Sequence, residues 1–378
     1  MLLALVTLDS IDKIATFLVM LSVLIVLHEY GHFLVARRNG VRVNEFSVGF
    51  GPKLLGWVSP RSGTLYSLRV LPIGGYCLME GEDNKTSEAS QQRAFRSDSA
   101  RPASENFQSK PAWRRLAIVL AGPVANFVLA YVILVIGALA FGVPSNRIDR
   151  AVVTGVMQGY PAAAQGLRPG DRIVAVQVGG RDVTGADSLV DTIHASLGKK
   201  IDLTYVRNGA MTTIHVRPKP CPQNAKWGCV GFTPELAYER VPFLQGLQYA
   251  NLEYVNVADQ TFSSLGMLIT QFTRYAPQIS GVVGMGQVAG IVQEFGWGPY
   301  LTLAATISFA LGVFNLLPIP ALDGGRAAFI IAELLRGKPV DPEKEAFVHL
   351  AGFAALMALM LLVAFHDIAR IVSGQGVF

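Results

Sequence analysis

Apolar residues gather into four long runs along this chain, and between the runs they alternate with polar ones or thin out. The runs cover residues 14–36, 116–141, 300–317 and 347–365. A helix that crosses a bilayer needs about 20 mostly apolar residues, a length each run reaches or approaches. Four transmembrane helices are therefore expected, within segments 1–40, 113–142, 299–325 and 346–370, with a cytoplasmic loop at 326–345. The first run lacks a basic lead-in and a small-residue cleavage site, so it reads as a retained helix and not a signal peptide.

The connecting segments carry other patterns. Residues 41–112 hold Ser47-Val48-Gly49-Phe50-Gly51-Pro52 and Tyr66 through Tyr76, where Gly and Pro punctuate short alternating runs. That pattern predicts a cytoplasmic, membrane-reentrant β-hairpin region, followed by a polar, Ser-rich flexible loop at 81–109. Residues 143–220 predict a soluble α+β domain, with short β-type runs at 151–156, 172–178, 201–206 and 212–216 and a helix near 186–196. Residues 221–298 read as an extracytoplasmic linker, in which 243–275 is too polar to span and suits an interfacial or packed helix. Gly284 to Ala289 spells a dinucleotide-type GxGxxA, but no strand precedes it and no βαβ unit surrounds it.

Composition fits a lipid environment. The chain has 378 residues, 51% hydrophobic and only 16% charged, with a mean hydropathy of +0.39. Soluble domains run nearer about a quarter charged. The net charge of +5 does not point to nucleic acid, because the basic residues cluster beside the apolar runs, where topology needs them. Arg37, Arg38 and Arg42, then Lys110, Arg114 and Arg115, then Arg326, Arg336, Lys338 and Lys344 mark cytoplasmic loops. Both termini and residues 142–298 then lie on the other side. The three cysteines form no CxxC pair. Cys221 and Cys229 could form a disulfide in an oxidising compartment.

The candidate chemistry sits inside the first apolar run, as His28-Glu29-Tyr30-Gly31-His32. In a helix His28 and His32 project from one face, and two neutral imidazoles there can fill two tetrahedral positions of Zn²⁺. Glu29, beside the metal without ligating it, can act as general base. Two solvated histidines would be the bland account. Three ionisable residues in a membrane helix, however, cost on the order of several kcal/mol unless they have partners or work. A catalytic zinc needs a third protein ligand and an open position. Asp323 fits, within Asn315-Leu316-Leu317-Pro318-Ile319-Pro320-Ala321-Leu322-Asp323-Gly324-Gly325, where two prolines end the helix. Asp323 as an N-cap of a following helix is the alternative, and it leaves the metal a ligand short. His349 and His366, at the ends of the fourth run, are weaker candidates.

Tyr160 through Ile173, with Gly166-Leu167-Arg168-Pro169-Gly170-Asp171, resembles the signature of PDZ domains of the bacterial protease kind. With the HEYGH and Asn315–Gly325 motifs in order around it, essentially the whole chain resembles the bacterial site-2 proteases. The resemblance implies a polytopic α-helical membrane protein of four transmembrane helices, a membrane-associated β-hairpin region and one extracytoplasmic PDZ domain. It implies one Zn²⁺ per chain on His28, His32 and Asp323, with Glu29 as base and Asn315 positioning the substrate strand. Gly74, Gly75 and Tyr76 match the family's reentrant β element and are candidate substrate-binding residues. Ala121-Gly122-Pro123-Val124-Ala125-Asn126 matches the second-helix motif, where close packing is expected more than chemistry. The implied activity is intramembrane proteolysis of single-pass proteins in the bacterial inner membrane, of anti-sigma-factor or remnant-signal-peptide type. Peptide C-termini or extended segments would bind the PDZ domain, the bilayer is the solvent, and nucleic acid is not a partner. A metal transporter or sensor, or a non-catalytic PDZ scaffold, are the rival readings. Relatives with two tandem PDZ domains differ from this chain, which has room for one.

Overall fold

In a computed structural model each long apolar run is a helix, and the structure describes residues 8–82, 103–157, 159–221, 226–275 and 281–372. The chain opens with α1 (Leu8–Arg38), β1 (Val43–Val58), β2 (Leu65–Met79), two short 3-10 turns (Ala103–Glu105 and Phe107–Ser109) and α2 (Ala112–Phe141). It continues with β3 (Val143–Val156), α3 (Pro161–Ala164), β4 (Arg172–Val178), β5 (Arg181–Val183), α4 (Ala186–His194), β6 (Ile201–Arg207) and β7 (Ala210–Val216). Then come β8 (Lys219–Pro220), β9 (Gly228–Cys229) and β10 (Phe232–Glu239). The last helices are α5 (Phe243–Thr270), α6 (Phe272–Tyr275), α7 (Val282–Glu294), α8 (Trp297–Leu316), α9 (Asp323–Arg336) and α10 (Pro342–Val372). Two compact units divide the chain, one of residues 1–134, 251–290 and 301–377 and the other of 135–250 and 291–300.

Among the described residues, four helices are long and apolar enough to cross a membrane: α1, α2, α8 and α10. On α10, Leu359, Leu361, Leu362 and Phe365 are all more than half exposed, a surface that water would not tolerate and lipid tails would. α1 and α2 approach closely because small residues meet. A Cβ on Gly31 would overlap the Ala121 carbonyl and stand 2.7 Å from the Ala125 Cβ, the close backbone contact that drives helix association in lipid. α5, polar along much of its length, packs in the same unit through Tyr254 and Phe262, whose rings lie 5.4 and 6.1 Å from Phe309 on α8.

β1 and β2 are each bent, so residues 45–48 acquire two sets of partners. Glu45 to Val48 pair with Leu78 to Gly75 on one side and with Leu65 to Leu68 on the other. Alternation then sorts the two faces. Phe46 and Tyr66 meet Phe33 of α1, with ring centroids 5.4 and 6.0 Å away. The other face holds a polar network. Arg69 reaches Glu45 Oε1 at 2.6 Å and Ser47 Oγ at 3.0 Å, and Ser67 donates to Glu45 at 2.8 Å. Tyr76, opposite Ser47 in the register, joins it beneath the Arg69 guanidinium. Burial alone would raise the Glu45 carboxyl; hydrogen bonds from Arg69, Ser67 and Tyr76 outweigh it and hold the group below its ordinary range.

The structure corrects three expected boundaries. Residues 103–109 are not loop: two 3-10 turns seat Phe107 in a core with Phe33, Val43, Met79, Ile118 and Ile330. The rest of the expected flexible loop, 83–102, lies outside the described residues. The expected cytoplasmic loop after the third span is largely a helix, α9, which buries Ala327 and Ile330 one turn apart in that same core.

The third correction lies in the soluble unit. Its sheet runs β10-β3-β4-β6-β7, with β5 on β4, over a core of Val153, Val176, Leu189, Ile201 and Leu203. β10 pairs with β3 from Phe232 opposite Val156 to Glu239 opposite Val143, so the domain closes at Glu239 and not at 220. The Gly166–Asp171 signature has a structural reason. Gly170 turns at a φ of 90°, and Asp171, buried behind it, takes 2.7 Å bonds from Arg207 Nε and Nη2 and from the Arg168 backbone. Cys221 and Cys229 are joined as a disulfide.

Arg69→Leu is expected to destabilise the hairpin by about 3 kcal/mol, because it removes the cation from the buried Glu45 carboxylate and leaves that charge only hydroxyl hydrogen bonds. The Glu45 carboxyl titrates lower folded than unfolded, so its contribution is present above the ordinary carboxylate range and is lost as pH falls through the folded value. Thermal unfolding of the detergent-solubilised protein should therefore show the gap between wild type and Glu45→Gln closing on acidification; a gap that widens would contradict the network.

Candidate metal centre

α1 is helical through Arg38, so His28 and His32 fall on one face, and both are buried. Their Nε2 atoms are 3.2 Å apart. Asp323, first residue of α9, brings Oδ2 to 3.1 Å from His28 Nε2 and 3.3 Å from His32 Nε2. Ligand atoms about 2.0–2.1 Å from one tetrahedral zinc stand about 3.3 Å apart, so these three edges outline one face of its coordination shell. Leu322, not Asp323, occupies the cap position of α9, without a side-chain cap bond. The capping alternative for Asp323 is thereby set aside.

The hydrogen bonds behind the histidines decide which nitrogen is free. His32 Nδ1 is 2.9 Å from the Ile118 carbonyl; a carbonyl only accepts, so Nδ1 carries the proton and Nε2 presents its lone pair. His28 Nδ1 is 3.1 Å from the side-chain amide of Asn126, whose Oδ1 is buried without a partner. Amide oxygen and nitrogen are exchanged by a half-turn. That half-turn lets Oδ1 accept from Nδ1–H, which satisfies the orphan and frees His28 Nε2 as well. Asp323 Oδ2 has no hydrogen-bond donor. Two lone pairs and an anionic oxygen facing one another in a buried site repel unless a cation lies between them, and that donor set fits zinc.

The second helix makes the room. A Cβ on Gly122 would stand 2.6 Å from His32 Cε1 and 2.7 Å from His28 Cε1, so only glycine passes beneath the rings. Pro123 follows within the helix, and Ser308 of α8 donates to the Asn126 carbonyl at 2.9 Å. Chemistry in this motif, beyond packing, is a finding the sequence reading did not anticipate. A polar asparagine within an otherwise apolar run is the only trace of it in the sequence, and that alone does not separate packing from ligand orientation.

The remaining candidates sit as follows. The Glu29 carboxylate accepts from the backbone N–H of Cys77 on β2. Burial pushes the Cys77 thiol well up, so it is a poor thiolate donor. Gly74 and Gly75 cross α1 beside Ile25 and Val26, one turn before His28, and Gly75 has no room for a side chain against the Ser47 carbonyl. Tyr76 faces the Glu45 network on the opposite side. Asn315 is half-buried on the last turn of α8 and makes no hydrogen bond to the cluster among the described residues. His349 bonds to the Ala321 backbone and is not part of the cluster. A second group, His194 with Cys221 and Cys229, lies close together in the soluble unit, but its two sulfurs are bonded to each other and offer no thiolate.

Two histidines on a helix long and apolar enough to cross a bilayer, faced by an aspartate that starts another helix, define the class of membrane-embedded metalloproteases. The chain belongs to peptidase family M50, the site-2 proteases, whose family model matches residues 16–359. It is a zinc metalloprotease of the site-2 type. It is 31% identical to the zinc metalloprotease RasP of Bacillus licheniformis, over 95% of this chain and 99% of that one. It is also 31% identical to the regulator of sigma-W protease RasP of Bacillus subtilis, over 96% and 99%. Among solved structures, the PDZ domain of an SdrC-like protein from Listeria monocytogenes aligns with 24% of the chain and 90% of that domain, at 19% identity and a TM-score of 0.19.

Asn126→Leu removes the acceptor behind His28 and should weaken zinc binding by about tenfold, the low end for loss of such a partner. Gly122→Ala should weaken it further by displacing both imidazoles. Competition against a chromophoric chelator in detergent measures both, and wild-type affinity in the pair would refute the assignment.

Proposed function

We propose that the protein hydrolyses a peptide bond in the transmembrane segment of single-pass membrane proteins, with zinc held by His28, His32 and Asp323. The observation that carries this reading is the triangle of donor atoms with edges of 3.1–3.3 Å inside a membrane helix unit. Zinc there supplies Lewis-acid polarisation of the scissile carbonyl and lowers the pKa of water to about 7. Glu29 takes the proton of the attacking water on its carboxylate and delivers it to the departing amide nitrogen. The N–H of Cys77 holds that carboxylate in place meanwhile.

A helical substrate shields its peptide bonds, so it must be unwound before cleavage. The stretch 75–79 of β2 pairs only with residues 43–48 among the described residues. Its other edge suits capture of an extended backbone, beside the base that Cys77 touches. Asn315 is assigned to the far side of that strand, and Gly74 to Tyr76 to the edge itself. The soluble unit is read as an extracytoplasmic PDZ module, with β10 at its sheet edge available to peptide C-termini or extended segments. The active site then faces the cytosol and the termini the other side. The name of the Bacillus subtilis relative, a regulator of sigma-W, favours an anti-sigma factor as substrate; remnant signal peptides are the second class.

Glu29→Gln should retain zinc and lose cleavage by about 10²-fold or more, the scale expected for removal of a general base. His28→Ala should lose the metal itself. Expressed in its host, the Glu29→Gln protein should co-purify with single-pass membrane proteins; normal turnover by this variant, or recovery of soluble proteins alone, would overturn the reading.

A further inference from the structure

The reaction as described leaves a half-buried imidazole on α10 unused. His349 lies on α10, away from the histidines of α1, and its Nδ1 accepts from the backbone N–H of Ala321 at 3.0 Å. Ala321 is in the turn between α8 and α9, two residues before Asp323. Its φ is +77°, one of two non-glycine positive φ values among the described residues. An alanine in the left-handed region is strained and persists only where its surroundings impose it.

Three further contacts show what imposes it. Gly352, one turn along α10 from His349, packs so closely that a Cβ would overlap Pro320, whose carbonyl carbon and oxygen lie 2.9 Å away. The His349 ring also packs on Phe329 of α9, with centroids 5.5 Å apart. On the other side of the turn, Cβ atoms at Gly324 and Gly325 would overlap the carbonyls of Leu316, Leu317 and Ile319. The turn is thus gripped by α10 at Pro320 and Ala321, and α9 starts from it with no side-chain cap of its own.

We infer that His349 is a positioning residue for the metal centre: by accepting the Ala321 N–H it holds the strained turn that aims the Asp323 carboxylate at His28 and His32. This rests on Asp323 being a zinc ligand. His28 and His32 are fixed by their own helix and by α2, whereas Asp323 depends on a six-residue connection, 317–322, whose internal bonds are few. His349 supplies the bond that the Ala321 N–H does not find in the backbone. Because Nδ1 accepts, the ring is the neutral tautomer with its proton on Nε2, a nitrogen buried without a partner. That orphan is tolerated for the sake of the other nitrogen's bond.

The test uses the chemistry of the acceptor. Asparagine places Oδ1 close to where histidine places Nδ1, while glutamine carries its amide one carbon farther out. In the detergent-solubilised full chain, His349→Asn should bind zinc within about threefold of wild type and His349→Gln about tenfold more weakly, the low end for loss of a supporting partner. Zinc affinity is read by chelator competition, with folding of each variant checked by size exclusion. Equal affinity for the Asn and Gln variants, whether both intact or both weakened, would overturn the inference. Asp323→Asn separates the two claims: if it loses zinc while both His349 variants keep it, His349 has no such role and the ligand set stands. If Asp323→Asn keeps wild-type affinity, the ligand set itself falls.

Discussion

Three potential metal donors, His28 Nε2, His32 Nε2 and Asp323 Oδ2, face one another at hydrogen-bond distance in a buried site. In a membrane interior such an arrangement is repulsive, and the energy of a bound cation is what makes it affordable. Much of the surrounding unit serves that demand. The Ile118 carbonyl and the Asn126 amide hold protons on the far nitrogens of the two imidazoles, so that their near nitrogens stay bare. Gly31 and Gly122 let α1 and α2 close to a distance at which those partners can reach. Gly31, Gly122 and Asn126 are small or polar on helices that are otherwise apolar, and each has a contact that accounts for it.

In the proposed reaction the β-hairpin answers a second constraint, the need to bring an extended backbone near Glu29. Its register is set from within by Glu45, Ser47, Ser67 and Arg69, a network whose members alternate along two strands and meet on one face. Slipping by one residue would turn that face over and put the aromatic side chains where the charges are. The register that survives places Gly75 and Cys77 toward α1, and Cys77 then gives its N–H to Glu29. An unusual buried charge in the hairpin therefore fixes a backbone group at the active site.

Much of this was legible in the sequence, and the failures have physical causes. Hydrophobic length gave the four spans, because a bilayer demands it, and the i, i+4 histidines gave the metal pair. The role of Asn126 was not legible, since nothing local distinguishes an asparagine that packs from one that orients a ligand 98 residues away. α9 reads as a loop because its apolar stretch is too short to span, basic residues flank it, and its start, Leu322-Asp323-Gly324-Gly325, has turn chemistry. Two glycines sit in its first turn for the space they leave, against the helix propensity they lack. The soluble domain was ended too early at residue 220 because the Cys221–Cys229 loop interrupts the alternation before β10 restores it.

The three proposed ligands are not equivalent mechanically, and this bears on how a substrate strand would act on the site. His28 and His32 ride on one continuous helix, while Asp323 begins a short helix of its own. A carboxylate in the first turn of a helix is favoured by the backbone N–H groups there, so α9 suits the charge its first residue brings to zinc. The same helix reaches the hairpin: Arg326, one turn on from Asp323, pairs with Glu82 just past the end of β2, and Glu333 pairs with Arg115 of α2 at 2.5 Å. A substrate strand added to the edge of β2 would load the residues next to Glu82, and through Arg326 that load falls on the helix that carries the third ligand. The helix of the two histidines meets the same strand through the Cys77 N–H on Glu29. A strand added there would therefore bear on all three proposed ligands, on Asp323 through Arg326 and on His28 and His32 through α1.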